Sequence, residues 1–195
     1  MKKNFTLIGF LLCCLSLSGV AQQLPPIFGN DYQSQPDSRV RQYLPAKRIV
    51  WMSDKSGQNI IDPQHLLKPG TGQADLVHQH ITTLRSTDDI KPGFVLDFGK
   101  EIQGGIQIVT DQPADHRPIK IRIRFGESVS EAMSDVDTVS GATNDHAMRD
   151  FEIEVPWLGV TNIGNSGFRF ARIDMVDANR ELQIKEVRAI FEYRD

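Results

Sequence analysis

The residues best suited to binding chemistry lie in one long connection, residues 126–150. Near its end stands the run Asn144-Asp145-His146, followed by Arg149 and Asp150. Planar amides, carboxylates and guanidinium groups are the side chains that bind pairs of sugar hydroxyls. The same residues also suit a turn in which Asn and Asp cap their own backbone and Arg149 forms an ion pair with Asp150. Spacing alone favours the turn, and a saccharide site or domain interface is the functional alternative.

A calcium site is a second interpretation of this connection. Asp135 and Asp137 have the alternate spacing of oxygen ligands in calcium loops, and Asn144 and Asp145 add further oxygens. The connection lacks the EF-hand pattern, so a solvated acidic loop is the simpler interpretation. We therefore expect no metal site and no cofactor, with calcium as the alternative.

Aromatic and histidine side chains elsewhere in the chain also suit binding. Trp157 and Trp51 either stack on a pyranose ring or fill the core, and the sequence does not decide between these roles. His78 and His80 lie in a segment, residues 75–84, that the pattern predicts as a strand. A His-x-His pair on a strand points both rings to one side, as metal sites need. Without an evident third ligand, a surface pair is favoured.

Strand-like segments on both sides of the connection must position these residues. The clearest is residues 119–125, where isoleucines and Phe125 alternate with Lys120, Arg122 and Arg124. This period of two predicts an antiparallel strand with one buried face. Several such segments between residues 93 and 174 are separated by turn residues, so we predict an all-β antiparallel sandwich.

The N-terminus has the features of a secretory signal peptide at residues 1–21. A short cationic start precedes an apolar run, and Gly19 and Ala21 occupy the two positions that an export peptidase reads. We therefore predict a periplasmic or secreted protein with an extended lead-in at residues 22–45 and one β-sandwich domain at residues 46–195. The chain would have no membrane segment after cleavage.

Cysteine content and net charge limit the chemistry further. Both cysteines, Cys13 and Cys14, fall inside the predicted signal, so neither a disulfide nor thiol chemistry is expected in the exported chain. The formal net charge of the 195 residues is −3. Removal of Lys2 and Lys3 makes it more negative. Nucleic acid is therefore not an expected partner.

Four motifs, taken together, resemble a known family. They are Val95-Leu-Asp-Phe-Gly-Lys-Glu-Ile-Gln-Gly-Gly-Ile106, Arg124-Phe-Gly-Glu-Ser128, Ala142-Thr-Asn-Asp-His-Ala-Met-Arg-Asp-Phe151 and Gly167-Phe-Arg-Phe-Ala-Arg-Ile-Asp174. Their order is similar to that in the N-terminal β-sandwich of bacterial α-L-rhamnosidases, glycoside hydrolase family 78, over about residues 40–195. The resemblance implies a jelly-roll module of the galactose-binding kind.

In that family the module precedes an (α/α)6 barrel that contains the catalytic acid and base. The chain is expected to end where the barrel would begin, so no catalytic residue of the family maps onto it. The implied partners are a saccharide, including rhamnose-containing ones, and a glycosidase catalytic domain in cis.

Three functional hypotheses follow. The first is a non-catalytic exported module that binds saccharide or packs on a catalytic domain. The second is the structural remnant of a truncated α-L-rhamnosidase gene. The third is a glycoside hydrolase in its own right, which would need a carboxylate pair across a sugar-sized cleft, with Glu127, Asp145 and Asp150 as candidates.

Overall fold

The computed structural model describes residues 38–135 and 149–194. The predicted signal peptide, Asp137 and the run Asn144-Asp145-His146 lie outside these ranges. Among the described residues, no helix has the length and apolar character that a membrane span requires.

Within these ranges the regular secondary structure is almost entirely β-strand. The strands are β1 (Arg39–Pro45), β2 (Arg48–Met52), β3 (Ile60–Ile61), β4 (Thr82–Arg85), β5 (Gly93–Thr110), β6 (Ile119–Gly126), β7 (Asp150–Val155), β8 (Gly159–Met175) and β9 (Glu181–Arg194). A 3₁₀ helix, Pro63–Leu67, and a one-turn helix, α1 (Val129–Met133), are the helical segments in the described part. Every strand pairing is antiparallel, and the predicted all-β antiparallel fold is confirmed.

Two layers arise because the long strands β5 and β8 contribute to both. The first sheet contains, in order, β2, the first part of β5, the last part of β8, β6 and β7. The second sheet contains the first part of β8, the last part of β5, and β9, whose other edge pairs with β4 and β1. Strand β5 changes register between Asp97 and Ile102 and again between Gly104 and Ile106, where it passes from one layer to the other.

The core lies between the two layers. Phe94, Ile121 and Ile173 from the first sheet belong to the same buried cluster as Ile108 and Val187 from the second. The alternation predicted for β6 is confirmed, because Ile119, Ile121, Ile123 and Phe125 are all at most 2% exposed. The arginines of β6 therefore lie on the outer face of the first sheet.

Residues 68–80 form a segment without helix or strand that crosses the outer face of the second sheet, and we call it the strap. Strand β4 begins only at Thr82, so the prediction of a strand from residue 75 is wrong for residues 75–81. The physical reason is local: His80 has a φ of 57°, which a β-strand does not allow.

Strand β1 lies within the range assigned from the sequence to an extended lead-in. It pairs with the last part of β9, from Arg39 opposite Arg194 to Pro45 opposite Arg188. The extended conformation of this segment is therefore part of the second sheet.

Candidate functional site

Asp150 is the first residue of β7 and lies on the outer face of the first sheet. Arg122, on the neighbouring strand β6, donates two hydrogen bonds to it, from Nε to Oδ1 at 2.7 Å and from Nη2 to Oδ2 at 2.5 Å. Such two-point contacts match the planar geometries of guanidinium and carboxylate. The side chain of Asp150 is only 9% exposed. The ion pair of Asp150 with Arg122 therefore holds the end of the connection 126–150 on the sheet.

Arg149 has different partners from Asp150. Its Nη1 donates to Glu131 Oε2 at 3.2 Å, and its Nη2 lies 3.5 Å from Glu127 Oε1. Both glutamates belong to the beginning of the connection, so Arg149 ties the two ends of the connection together. The ion pair between Arg149 and Asp150 that the turn interpretation expects is replaced by these two separate sets of contacts.

Helix α1 holds these glutamates in place. Ser128, which precedes the helix, accepts a hydrogen bond from the backbone N–H of Glu131 at 3.2 Å, while Glu131 Oε2 accepts one from the backbone N–H of Glu127 at 2.8 Å. This exchange resembles the capping box that begins many helices. One turn of helix is thereby stable enough to present Glu127 and Glu131 to Arg149.

A six-residue cluster covers the outer face of the first sheet beside Arg149, and we call it the arginine–aspartate cluster. Its members are Arg122, Arg124, Arg172, Asp135, Asp150 and Asp174. Arg124 donates to Asp135 at 2.6 Å and to Asp174 at 2.9 Å. Arg172 donates to Asp174 at 2.9 Å. Three cations and three carboxylates thus neutralise one another.

Burial makes these ion pairs structurally significant. The side chain of Arg124 is 6% exposed and that of Asp174 is 13% exposed. The pKa of Arg122 is raised, mainly by its hydrogen bonds to Asp150, so this guanidinium stays charged. Buried charges of this kind depend on their partners, because removal of one partner leaves the other uncompensated.

A fourth carboxylate on the same face, Asp97, is also held by arginines. Arg169 donates to its two oxygens at 2.8 and 3.0 Å, and Arg48 donates at 2.8 Å. These contacts, with the bond from the Gly99 N–H, lower the pKa of Asp97 to about 2. Asp97 is therefore ionised at any physiological pH.

The two tryptophans have different environments. The Arg172 guanidinium lies 4.7 Å from the centroid of the Trp51 ring, so one face of that ring is occupied. Trp157 follows the far end of β7 and lies 5.1 Å from the ring of His116. Asp150 and Trp157 are separated by the whole of β7, about 20 Å of extended chain. They do not form one site.

The histidines of the strap do not converge on a metal. His78 Nδ1 lies 3.1 Å from Asp111 Oδ1, while the His80 ring meets the His65 ring edge-on at 5.2 Å. Among the described residues, no three His, Cys, Asp or Glu side chains are placed to hold a metal ion. Of the proposed calcium ligands, Asp135 is bonded to Arg122 and Arg124, and the others lie outside the described ranges.

A pocket that the sequence interpretation missed lies between the strap and strand β9. It has a volume of about 370 Å³, and its wall includes His80, Gln73 and Gln79 from the strap with Lys185 and Glu186 from β9. The side chain of Glu186, 6% exposed, accepts hydrogen bonds from the Gly70 N–H at 2.9 Å and the Gly72 N–H at 2.8 Å. The two glycines were visible in the sequence, but their partner stands more than a hundred residues later.

The two antiparallel layers around one shared core are those of a jelly-roll β-sandwich module of the galactose-binding kind. Residues 61–190 match the family model described as the glycosyl hydrolase family 78 alpha-rhamnosidase N-terminal domain. The chain belongs to this family, and the resemblance carried by the four motifs is confirmed.

Solved structures share the fold. A rhamnosidase from Klebsiella oxytoca, solved with rhamnose bound, superposes with a TM-score of 0.52 at 17% identity, and the match covers 79% of this chain and 29% of that chain. The C-terminal domain of a chitobiase from Bacteroides fragilis superposes with a TM-score of 0.52 at 12% identity, covering 79% of this chain and 99% of that one. The present chain thus spans less than a third of the length of the Klebsiella rhamnosidase. No curated protein matches the sequence.

Proposed function

We propose that this chain is an exported, non-catalytic module of the α-L-rhamnosidase type that binds saccharide. The observation that carries the non-catalytic part is the pairing of its outer-face carboxylates with arginines. A general acid in glycoside hydrolysis must keep its proton near neutral pH. Asp150, one of the candidate carboxylates, instead accepts two hydrogen bonds from Arg122. A similar arginine environment lowers the pKa of the neighbouring Asp97 to about 2.

Arg149 and its two glutamates support saccharide binding. The exposed fraction of the side chain is 33% for Arg149, 50% for Glu127 and 48% for Glu131. Hydrogen-bond donors and acceptors are thus accessible to solvent side by side. Hydroxyl pairs are bound by such groups. Because protein–sugar hydrogen bonds replace bonds to water, a dissociation constant from about millimolar to tens of micromolar is expected.

Two assays on the purified chain test the proposal. Calorimetry should detect binding of methyl α-L-rhamnoside or a rhamnose-containing oligosaccharide, and an aryl α-L-rhamnoside should not be hydrolysed above the protein-free rate. Arg149→Ala should weaken binding with little change in melting temperature. Arg85→Ala is the matched control, since Arg85 forms an exposed pair with Glu181 on the second sheet.

The assays also identify the failures. Turnover that is lost in Glu127→Gln or Asp150→Asn would establish a hydrolase. Absence of binding to every rhamnoside tested would reject the saccharide-binding role.

Packing on a glycosidase catalytic domain is the second candidate. Tyr43, Leu76, Val77 and Val160 are between 41% and 68% exposed. Val160 lies beside Val109 on the outer face of the second sheet, and Val77 belongs to the strap that crosses this face. Exposed apolar groups of this kind favour protein contacts. Charged substitutions at Val160 and Leu76 should then weaken association with a separately purified rhamnosidase catalytic domain.

A further inference from the structure

The pocket beneath the strap, which we call the strap pocket, has the size of a small-ligand site. Its volume is about 370 Å³. Protein sites for small ligands have volumes of about 300 to 1,000 Å³. The strap pocket therefore lies at the small end of the range, where a single sugar unit is a suitable occupant.

Hydrogen bonds from β9 hold the strap in place on both sides of the pocket. Glu186 accepts hydrogen bonds from the Gly70 and Gly72 N–H groups at 2.9 and 2.8 Å. Further along the strap, Lys185 Nζ donates to the Val77 carbonyl oxygen at 2.7 Å and to the Asp75 carboxylate. A wall that is already ordered adds no ordering cost when a ligand binds. The strap pocket is thus preformed.

Two amide side chains in the pocket wall are available for a ligand. Gln73 and Gln79 both line the pocket, and neither side chain has a hydrogen-bond partner within residues 38–135 and 149–194. Each primary amide offers both a donor and an acceptor. Adjacent hydroxyls of a sugar ring need this combination.

The rest of the wall suits an uncharged ligand with an apolar patch. Val77 and Val109 supply aliphatic surface, and the charges of Asp75 and Lys185 neutralise each other. The Glu186 carboxylate lies 3.8 Å from the Arg188 guanidinium, and the exposed Lys68 adds one further ammonium group to the wall. His80 is held at a φ of 57° with its ring against that of His65. Backbone conformations of this kind cost about 1 to 3 kcal/mol in a non-glycine residue and cluster at ligand sites.

We infer that the strap pocket binds one neutral sugar unit, with the Gln73 and Gln79 amides on adjacent hydroxyls and the apolar part of the sugar against the valines. This inference rests on the proposed saccharide-binding function. It names a site separate from Arg149, since the strap crosses the second sheet and Arg149 adjoins the first.

The test is calorimetric titration of the full chain with L-rhamnose and methyl α-L-rhamnoside. Loss of two hydrogen bonds should raise the dissociation constant of the strap pocket about tenfold or more in the double variant Gln73→Ala/Gln79→Ala, while the site at Arg149 keeps its affinity. Gln58→Ala is the matched control, because Gln58 is exposed and lies outside the pocket wall. Gln73 and Gln79 are both exposed, so the double variant should have the same melting temperature as the parent protein.

Each outcome separates the two proposals. Weaker binding in the double variant, with Gln58→Ala like the parent, supports the strap pocket. Unchanged binding in the double variant, while the parent binds, overturns the strap pocket and retains the saccharide-binding function. Failure of the parent protein to bind either sugar overturns both proposals.

Discussion

Several ion-paired side chains on the outer face of the first sheet are mostly buried. Asp150, Asp174 and Arg124 each have less than 15% of their side chain exposed. Exposed ion pairs contribute little to stability, whereas loss of one partner from a buried pair leaves the other charge without solvation. Substitutions in the arginine–aspartate cluster should therefore affect folding rather than ligand affinity.

Asp150→Asn tests this view. Arg122, whose side chain is 30% exposed, would lose its two-point partner and keep only Asp135, so the free energy of unfolding should fall by about 2 kcal/mol. Urea denaturation measures the change. Glu152→Gln is the control on the same strand, because Glu152 is exposed. Equal stability of Asp150→Asn and the parent would show that the pair with Arg122 is not structural.

The lowered pKa of Asp97 predicts a specific pH dependence of the stability of the protein. Its pKa is lowered from an ordinary value of 3.8 to about 2 in the folded state, chiefly by Arg169. A lowered folded-state pKa stabilises the protein above pH 4, and this stabilisation is lost as the pH falls through 2. At pH 6 the free energy of unfolding of the parent protein should exceed that of Asp97→Asn by about 2 kcal/mol. Denaturation curves should show this difference in the free energy of unfolding becoming smaller toward pH 2. A difference independent of pH would contradict the lowered pKa of Asp97.

At the scale of elements, the strap depends on glycine at position 72. Gly72 has a φ of 70°, and a Cβ there would lie 1.6 Å from Arg188 Nη2. Arg188 cannot easily move away, because it donates to Gln107 at 2.8 Å and lies over the Tyr43 ring at 3.9 Å. The strap and the outer face of the second sheet are thus fitted to each other.

Gly72→Ala should therefore destabilise the protein more than Gly57→Ala. Gly57 has a φ of 80° with no atom within 4 Å of the added Cβ, so its substitution carries the backbone cost alone, about 1 kcal/mol. Gly72→Ala adds displacement of Arg188, and we expect about 1 to 2 kcal/mol more. Thermal denaturation of both variants gives the comparison. Equal melting temperatures would mean that Arg188 moves without cost.

Sequence periodicity predicted the strands better than the segments between them. The alternation in β6 was visible because it has one buried face and no interruption. In the sequence, glycines split residues 93–109 into two strand-like segments, 93–99 and 104–109. In the structure Gly104, with a φ of 143°, allows β5 to approach the Ile190 carbonyl and continue. A glycine that ends one strand and a glycine that bends a long strand look the same in a sequence.

The candidate sites depended on contacts too distant in sequence to predict. Arg122 and Asp150 form their pair across 28 positions, and Gly70 reaches Glu186 across 116. The residue types of the connection were recognised correctly as polar and ionic. Which carboxylate pairs with which arginine followed only from strand register, and the strap pocket required the strap to be placed on β9.

At the scale of the whole molecule, the predicted signal peptide and the β-sandwich depend on different features of the sequence. Export requires the small residues Gly19 and Ala21, and the sandwich requires a core that forms without covalent links. Cys13 and Cys14 both precede Ala21, and the described strands contain a continuous buried cluster from both layers. The exported chain should therefore fold from burial of apolar surface alone.

The exported protein is expected to lack residues 1–21. Expression of the full chain in a Gram-negative host should give a periplasmic protein beginning at Gln22, measured by intact mass and N-terminal sequencing. Ala21→Phe should block cleavage, because the peptidase requires a small residue there. Melting of the cleaved protein should be unaffected by reductant, since it has no cysteine. An uncleaved cytoplasmic product from the parent sequence would overturn the export assignment.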